Sequence, residues 1–143
     1  WQSMLQVIPN LHFNGECKQA LQLYKEAFNA QVRILLCESD ASPEDWAAKD
    51  DAKDLVYHCE MFIGDQRIIL NDSANEGSQP FNHRMSLVIT FDSAEAVKHV
   101  YSILSRGATI VHPMQATTYS SCFVSLIDRF GMRWELMTEQ TEK

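Results

Sequence analysis

The sequence predicts an α+β domain made of two βαβββ modules, each a curved mixed sheet, arranged around a cavity. Three observations predict this class. Phe13-Asn14-Gly15-Glu16 and Asn29-Ala30-Gln31-Val32 return as Phe91-Asp92-Ser93-Ala94 and Gly107-Ala108-Thr109-Ile110, both 78 positions on (13 to 91, 29 to 107). An echo at fixed spacing marks a duplicated unit. Each copy holds one stretch of helical apolar periodicity among runs of alternating polarity. Between the copies, Ser73 to Arg84 is a polar break containing Gly77 and Pro80.

In the first copy, Leu5 to Phe13 alternates as a strand. Asn14 is placed to cap the following helix, and Glu16 puts negative charge in its first turn, where the helix dipole favours it. Cys17, Ala20, Leu21, Tyr24, Ala27 and Phe28 recur at helical spacing, and Asn29 suits the left-handed residue that closes a helix. Val32 to Cys37 reads as a second strand. Leu55 to Ile63 and Ile68 to Asn71 read as a hairpin turning at Gly64-Asp65. Ser39 to Asp54 is an acidic insertion, within which Ser42-Pro43-Glu44-Asp45 reads as the start of a short helix.

The second copy repeats the order without that insertion. Met85 to Phe91 is a strand, Ala94 to Arg106 a helix, and Thr109 to Met114, Ser121 to Ile127 and Met132 to Met137 are strands. Asp92 and Glu95 have capping-box spacing, and Gly107 closes the helix as Asn29 does in the first copy. One domain is expected over residues 4–143, with module one at 5–72, a linker at 73–84 and module two at 85–137. Trp1-Gln2-Ser3 ahead of Met4 reads as an added leader and is set aside.

A chain of 143 residues can bury a core without staples, and 45% apolar with 22% charged residues is ordinary for a globular domain. The net charge of -7, with no two Lys or Arg adjacent, argues against nucleic acid as a partner. No apolar stretch approaches the roughly 18 residues of a membrane helix. A cytoplasmic protein is expected, with Cys17, Cys37, Cys59 and Cys122 as free thiols, because none shows C-x-x-C spacing.

On a sheet covered by helices on one face, the apolar parity marks the helix side and the other parity faces the cavity. Pro9, Leu11 and Phe13 take the helix side, leaving Asn10 and His12 inward. The hairpin turn pairs Phe62 with Arg67, Glu60 with Ile69 and His58 with Asn71, all inward, while Cys59, Met61, Ile63, Ile68 and Leu70 pack under the helix. In module two, Met85, Leu87, Ile89 and Phe91 pack, as do Trp134 and Leu136. Ser86, Val88, Thr90 and Glu135 face in, with Phe123 and Ser125. Polar groups gathered in a concave apolar setting are the usual makings of a small-molecule site, although a hydrogen-bonded wet groove or a subunit interface has the same composition. His83, His99 and His112 fall near element ends or exposed helix faces and are expected on the solvent side.

The paired modules, the stretch Pro9 to Phe28 and the closing Asp128-Arg129-Phe130-Gly131-Met132-Arg133-Trp134-Glu135-Leu136 resemble the vicinal oxygen chelate superfamily of glyoxalases, bleomycin-resistance proteins and dioxygenases. Leu11-x-Phe13-x-Gly15, Leu23-Tyr24-Lys25-Glu26-Ala27-Phe28, Tyr57-His58-Cys59-Glu60 and Gly64-Asp65 are most similar to its PhnB-like branch. The resemblance spans Ile8 to Met137. It implies metal-ligand positions on the first and last strand of each module, which land here on Ile8 (or Pro9), Ser86, Ile69 and Glu135. Only Glu135 is a strong donor, so no resident metal is expected. A rearranged set of His12, His58, Glu60 and Glu135 stays open as a divalent-metal site.

Three functions follow. A metal-free homodimer would hold a small organic ligand, with Trp46, Phe62, Tyr119 and Phe123 as stacking surface and Glu60 with Glu135 favouring a cation; aromatics of this kind are more often plain core. An enzyme would use Glu135 or Glu60 as a general base, its pKa raised by an apolar cavity, with His58 or His12 as partner. A module working only through its dimer surface is the third. Some relatives carry a ubiquinone-pathway methyltransferase label, but Gly15, Gly64, Gly77, Gly107 and Gly131 are scattered and form no Gly-rich strand-to-helix turn for a methyl donor.

Overall fold

The computed structural model describes residues 5–42, 44, 53–73 and 83–139. Its elements are β1 (Asn10–Phe13), α1 (Cys17–Phe28), β2 (Gln31–Cys37), β3 (Val56–Ile63), β4 (Gln66–Asp72), β5 (Leu87–Phe91), α2 (Ala94–Leu104), β6 (Thr109–Thr117), β7 (Ser120–Ile127) and β8 (Arg133–Thr138). The predicted βαβββ order holds in both copies. Two four-stranded mixed sheets result, ordered β1-β4-β3-β2 and β5-β8-β7-β6. In each, the first and last strands of the module run parallel, and every other pair is antiparallel.

The chain divides into two compact units: unit 1 is Trp1–Gln22 with Asn29–Gln79, and unit 2 is Leu23–Phe28 with Pro80–Lys143. In unit 1, Phe13, Cys59, Met61, Ile68 and Leu70 are buried, as are Cys17, Ala20 and Leu21 on the first turns of α1. Burial, with Asp72 and then Cys59 adding to it, pushes the Cys17 thiol far above its ordinary value, so this cysteine is a packing residue. In unit 2, Val97, Val100, Ile103 and Leu104 of α2 are buried, and α2 lies against β5, β7 and β8, where Val124, Leu126, Trp134 and Leu136 are buried. Tyr24 and Phe28 pack on Trp134 with ring centroids 5.3 and 4.8 Å apart. All four cysteines are free. No helix among the described residues is long and apolar enough to cross a membrane.

The hairpin is as expected: Phe62 pairs with Arg67 and Glu60 with Ile69, around Gly64 at φ 57°. Asn29 and Gly107 close their helices at φ 55° and 72°. Several expectations fail at element ends. β1 begins at Asn10, with Leu5 and Val7 exposed; Pro9 accepts from Ile69 N at 2.9 Å but has no N–H to continue the ladder. Met85, expected to pack, is 75% exposed because β5 begins only at Leu87. Neither Asn14 nor Glu16 stands inside the first helical turn. Asp72 takes the α1 N-terminus, its Oδ1 accepting from Cys17 N at 3.0 Å while Oδ2 accepts from Val56 N at 2.9 Å. At α2 the cap is Ser93, whose hydroxyl accepts from Ala96 N at 3.2 Å, in place of the Asp92–Glu95 box. Most of the expected linker, Trp46 and the short helix at Ser42-Pro43-Glu44-Asp45 lie outside the described residues, of which Ser42 and Glu44 alone are seen.

Candidate functional site

On the face of the unit 1 sheet opposite its buried apolar residues, period-two alternation sets out two polar rows. His12 lies beside Asn71, and His58 follows one step along the β3–β4 ladder; Asn10, Ile69, Glu60 and Ile34 form the adjacent row. His12 Nδ1–H donates to Asn71 Oδ1 at 2.7 Å, and Asn71 Nδ2 donates to Asn10 Oδ1 at 3.4 Å. His58 Nε2–H donates to Glu60 Oε2 at 2.9 Å, and Arg67 Nη1 stands 3.5 Å from Glu60 Oε1. Phe62 is half-buried beside them, with the Arg33 guanidinium 4.9 Å over its ring.

The electrostatics follow from these contacts. The His58 hydrogen bond, followed by the charges of Arg67 and His58, outweighs burial and holds the Glu60 carboxyl below its ordinary 4.5. This overturns the expected rise at Glu60, because the carboxylate sits among donors and not in an apolar hollow. Arg67 is less well matched. Its ion pair is longer than the roughly 2.7–3.2 Å of an N–H···O bond, and its Nε is buried without a partner, an arrangement that costs about 1–3 kcal/mol.

Unit 2 builds a second polar face. Val88, Glu135, Ser125 and His112 form one row across β5, β8, β7 and β6, with Thr90, Met137, Phe123 and Gln115 in the next. The Ser86 hydroxyl donates to Glu135 Oε2 at 2.6 Å. Phe123 is buried, with Tyr119 and His112 rings 5.9 and 6.4 Å away, and Thr90 is exposed. Ser125 is wholly buried and its hydroxyl has no partner. His112 is exposed, as expected, and register shifts in β6 set it opposite Ser125 in this row. The hairpin pairing already placed Arg67 on the inward face, although no role at the site was assigned to it. Arg33 and His112 were not among the inward residues expected from the sequence, and both depend on bulges.

The four positions at which the resemblance places metal ligands can be tested on donor chemistry. In unit 1 they are Ile8 and Ile69, which have no donor. In unit 2 they are Ser86 and Glu135, hydrogen-bonded to each other. This set does not fit a divalent transition metal. Within unit 1, His12 is engaged with Asn71 and His58 with Glu60, and among the described residues no group of three or more His, Cys, Asp or Glu is placed to hold a metal ion.

Two mixed β-sheets, each built from a βαβββ module with a polar strand face, define a protein of the vicinal oxygen chelate fold. Solved structures agree. Protein PA1353 from Pseudomonas aeruginosa superposes with a TM-score of 0.85 at 24% identity, covering 95% of this chain and 98% of its own. A PhnB protein from Bacillus cereus does so at 0.79 and 22% identity, covering 94% and 99%. A glyoxalase/bleomycin resistance protein/dioxygenase domain from Frankia gives 0.68 at 14% identity, covering 96% and 93%. Among curated proteins, YjdN of Escherichia coli is 23% identical over 133 residues, 88% of this chain and 90% of that protein. The chain belongs to the PhnB-like family whose model is described as 3-demethylubiquinone-9 3-methyltransferase, matched over residues 5–137.

Proposed function

We propose that this PhnB-like protein binds a small organic molecule without a resident metal, and that the unit 1 sheet face takes part in holding it. One observation carries the reading. Half-buried Glu60, His58 and Arg67 are held together on a sheet face that also presents Phe62, Ile69 and Ile34. Ordered polar groups among apolar side chains give orientation and contact area together, which is what a ligand site requires. The donor set at Ile8, Ile69, Ser86 and Glu135 supports the metal-free half of the proposal.

The methyl transfer in the family's description finds no support in these residues. Gly15 is the one glycine between β1 and α1, so the backbone there offers no Gly-rich turn to receive a methyl donor. A homodimer is part of the same proposal. The edge strands β2 and β6 expose Ile34, Leu35, Leu36 and Ile110 at 39–44%, and unpaired apolar edges are commonly covered by a second copy. A cytoplasmic location is proposed on the free thiols.

The test is a titration of the full chain with manganese, nickel, zinc and iron(II), beside an NMR screen of a fragment library. The expected result is no stoichiometric metal binding, and fragments that shift resonances of His58, Glu60 and Phe62. Tight binding of one metal, abolished in Glu135→Ala, would overturn the metal-free reading. A library that leaves this face unmoved would overturn the ligand reading.

A further inference from the structure

We infer that the molecule taken by the unit 1 face is a flat organic carboxylate, held by the Arg67 guanidinium with its body against Phe62. This rests on the reading that the face binds a small molecule. Three observations carry the step to a carboxylate.

The first concerns the acid already present. Glu60 has little left to offer a cationic ligand, since Oε2 accepts from His58 at 2.9 Å and Oε1 faces Arg67 at 3.5 Å. The second is donor capacity. Arg67 Nε is buried, but the side chain is 37% exposed and its pairing with Glu60 is a long 3.5 Å, so the terminal Nη donors of the planar guanidinium fork are the ones an incoming ligand can engage. A carboxylate presents two oxygens at the spacing of that fork, which a point acceptor cannot match. The third is placement. Phe62 is the direct register partner of Arg67, so ring and guanidinium stand on one face, and Arg33 adds a second cation 4.9 Å over the same ring. Two arginines against one glutamate leave this patch with an excess positive charge in a chain of net charge -7. Among these three side chains the surplus positive charge favours an anion over a cation.

The experiment uses the full chain and three probes of one shape: benzoate, neutral benzamide and cationic benzylamine, each followed by ¹H–¹⁵N NMR titration. Arg67→Gln and Arg67→Lys are measured alongside, with their folding checked by circular dichroism. Benzoate is expected to shift Phe62, Glu60 and residue 67, and to bind at least about tenfold more tightly than either other probe. Arg67→Gln should abolish that preference. Arg67→Lys should keep it but lose about three- to tenfold in affinity, because an ammonium cannot make the paired contact; this variant decides the matter if Arg67→Gln does not fold. Equal binding of benzamide or benzylamine at this face, or undiminished benzoate binding by Arg67→Gln, would sink the carboxylate and leave the small-molecule reading standing. If none of the three moves the face, both fall.

Discussion

Replacing Asp128 with alanine is expected to cost about 4 kcal/mol of folding free energy, and the structure shows where that number comes from. Asp128 is 3% exposed and accepts four hydrogen bonds. Its Oδ2 takes Tyr24 Oη at 2.6 Å and Trp134 Nε1 at 2.8 Å, and its Oδ1 takes Phe130 N at 2.9 Å and Met132 N at 3.1 Å. Tyr24 and Trp134 are themselves wholly buried. Alanine would leave two side-chain donors and two backbone donors without this acceptor, at about 1–3 kcal/mol for each one that stays unsatisfied. Against this stands relief from burying a carboxylate, which brings the sum into the roughly 3–5 kcal/mol typical of breaking a buried charged pair. For a domain stable by about 5–15 kcal/mol, that is a large share. Urea unfolding followed by tryptophan fluorescence would show the midpoint falling by about 2 M, taking a slope of about 2 kcal/mol/M. Tyr24→Phe removes one bond and leaves Asp128 three donors, so its loss should be about 1–2 kcal/mol. A cost below about 1 kcal/mol for Asp128→Ala, or equal costs for the two variants, would refute this account of the residue as an anchor.

The Glu60 carboxyl should titrate by NMR with a midpoint below its ordinary 4.5, because His58 and Arg67 favour the ionised form. Its folded value lies under its unfolded one, so the stability it lends is complete above pH 4.5 and is lost as pH falls through the folded midpoint; a midpoint at or above 4.5 would contradict this. Gly107→Ala should destabilise more than Gly64→Ala. Both sit at positive φ, worth about 1 kcal/mol, but the new Cβ at 107 meets Arg129 Cβ at 3.2 Å, while the one at 64 meets nothing within 4 Å. Thermal unfolding ranks the pair. Ser125→Ala should be neutral or stabilising by up to about 1 kcal/mol, since it deletes a buried hydroxyl with no partner. A loss above about 1 kcal/mol in urea would show that the hydroxyl is satisfied in solution.

What the sequence determined by itself is what depends on neighbours in the chain. Period-two alternation assigned the strands and their faces, 3.6-residue periodicity assigned the helices, and a two-residue turn at Gly64-Asp65 set the hairpin register that brings Phe62 opposite Arg67 and Glu60 opposite Ile69. The echo 78 positions on (13 to 91) was enough for the fold class. Tertiary structure decided what depends on distant partners. Asp72 displaced Asn14 at the helix α1 terminus from 55 positions away, and Asp128 caught Tyr24 across 104. The charge state of Glu60 turned on which donors reached it, which its own apolar surroundings in the chain did not reveal. Bulges account for the remaining surprises. An extra residue between Val32 and Ile34 and between Ile110 and His112 breaks the alternation that parity reading relies on. Arg33 and His112 thereby reach polar faces that their place in the sequence had not assigned to them.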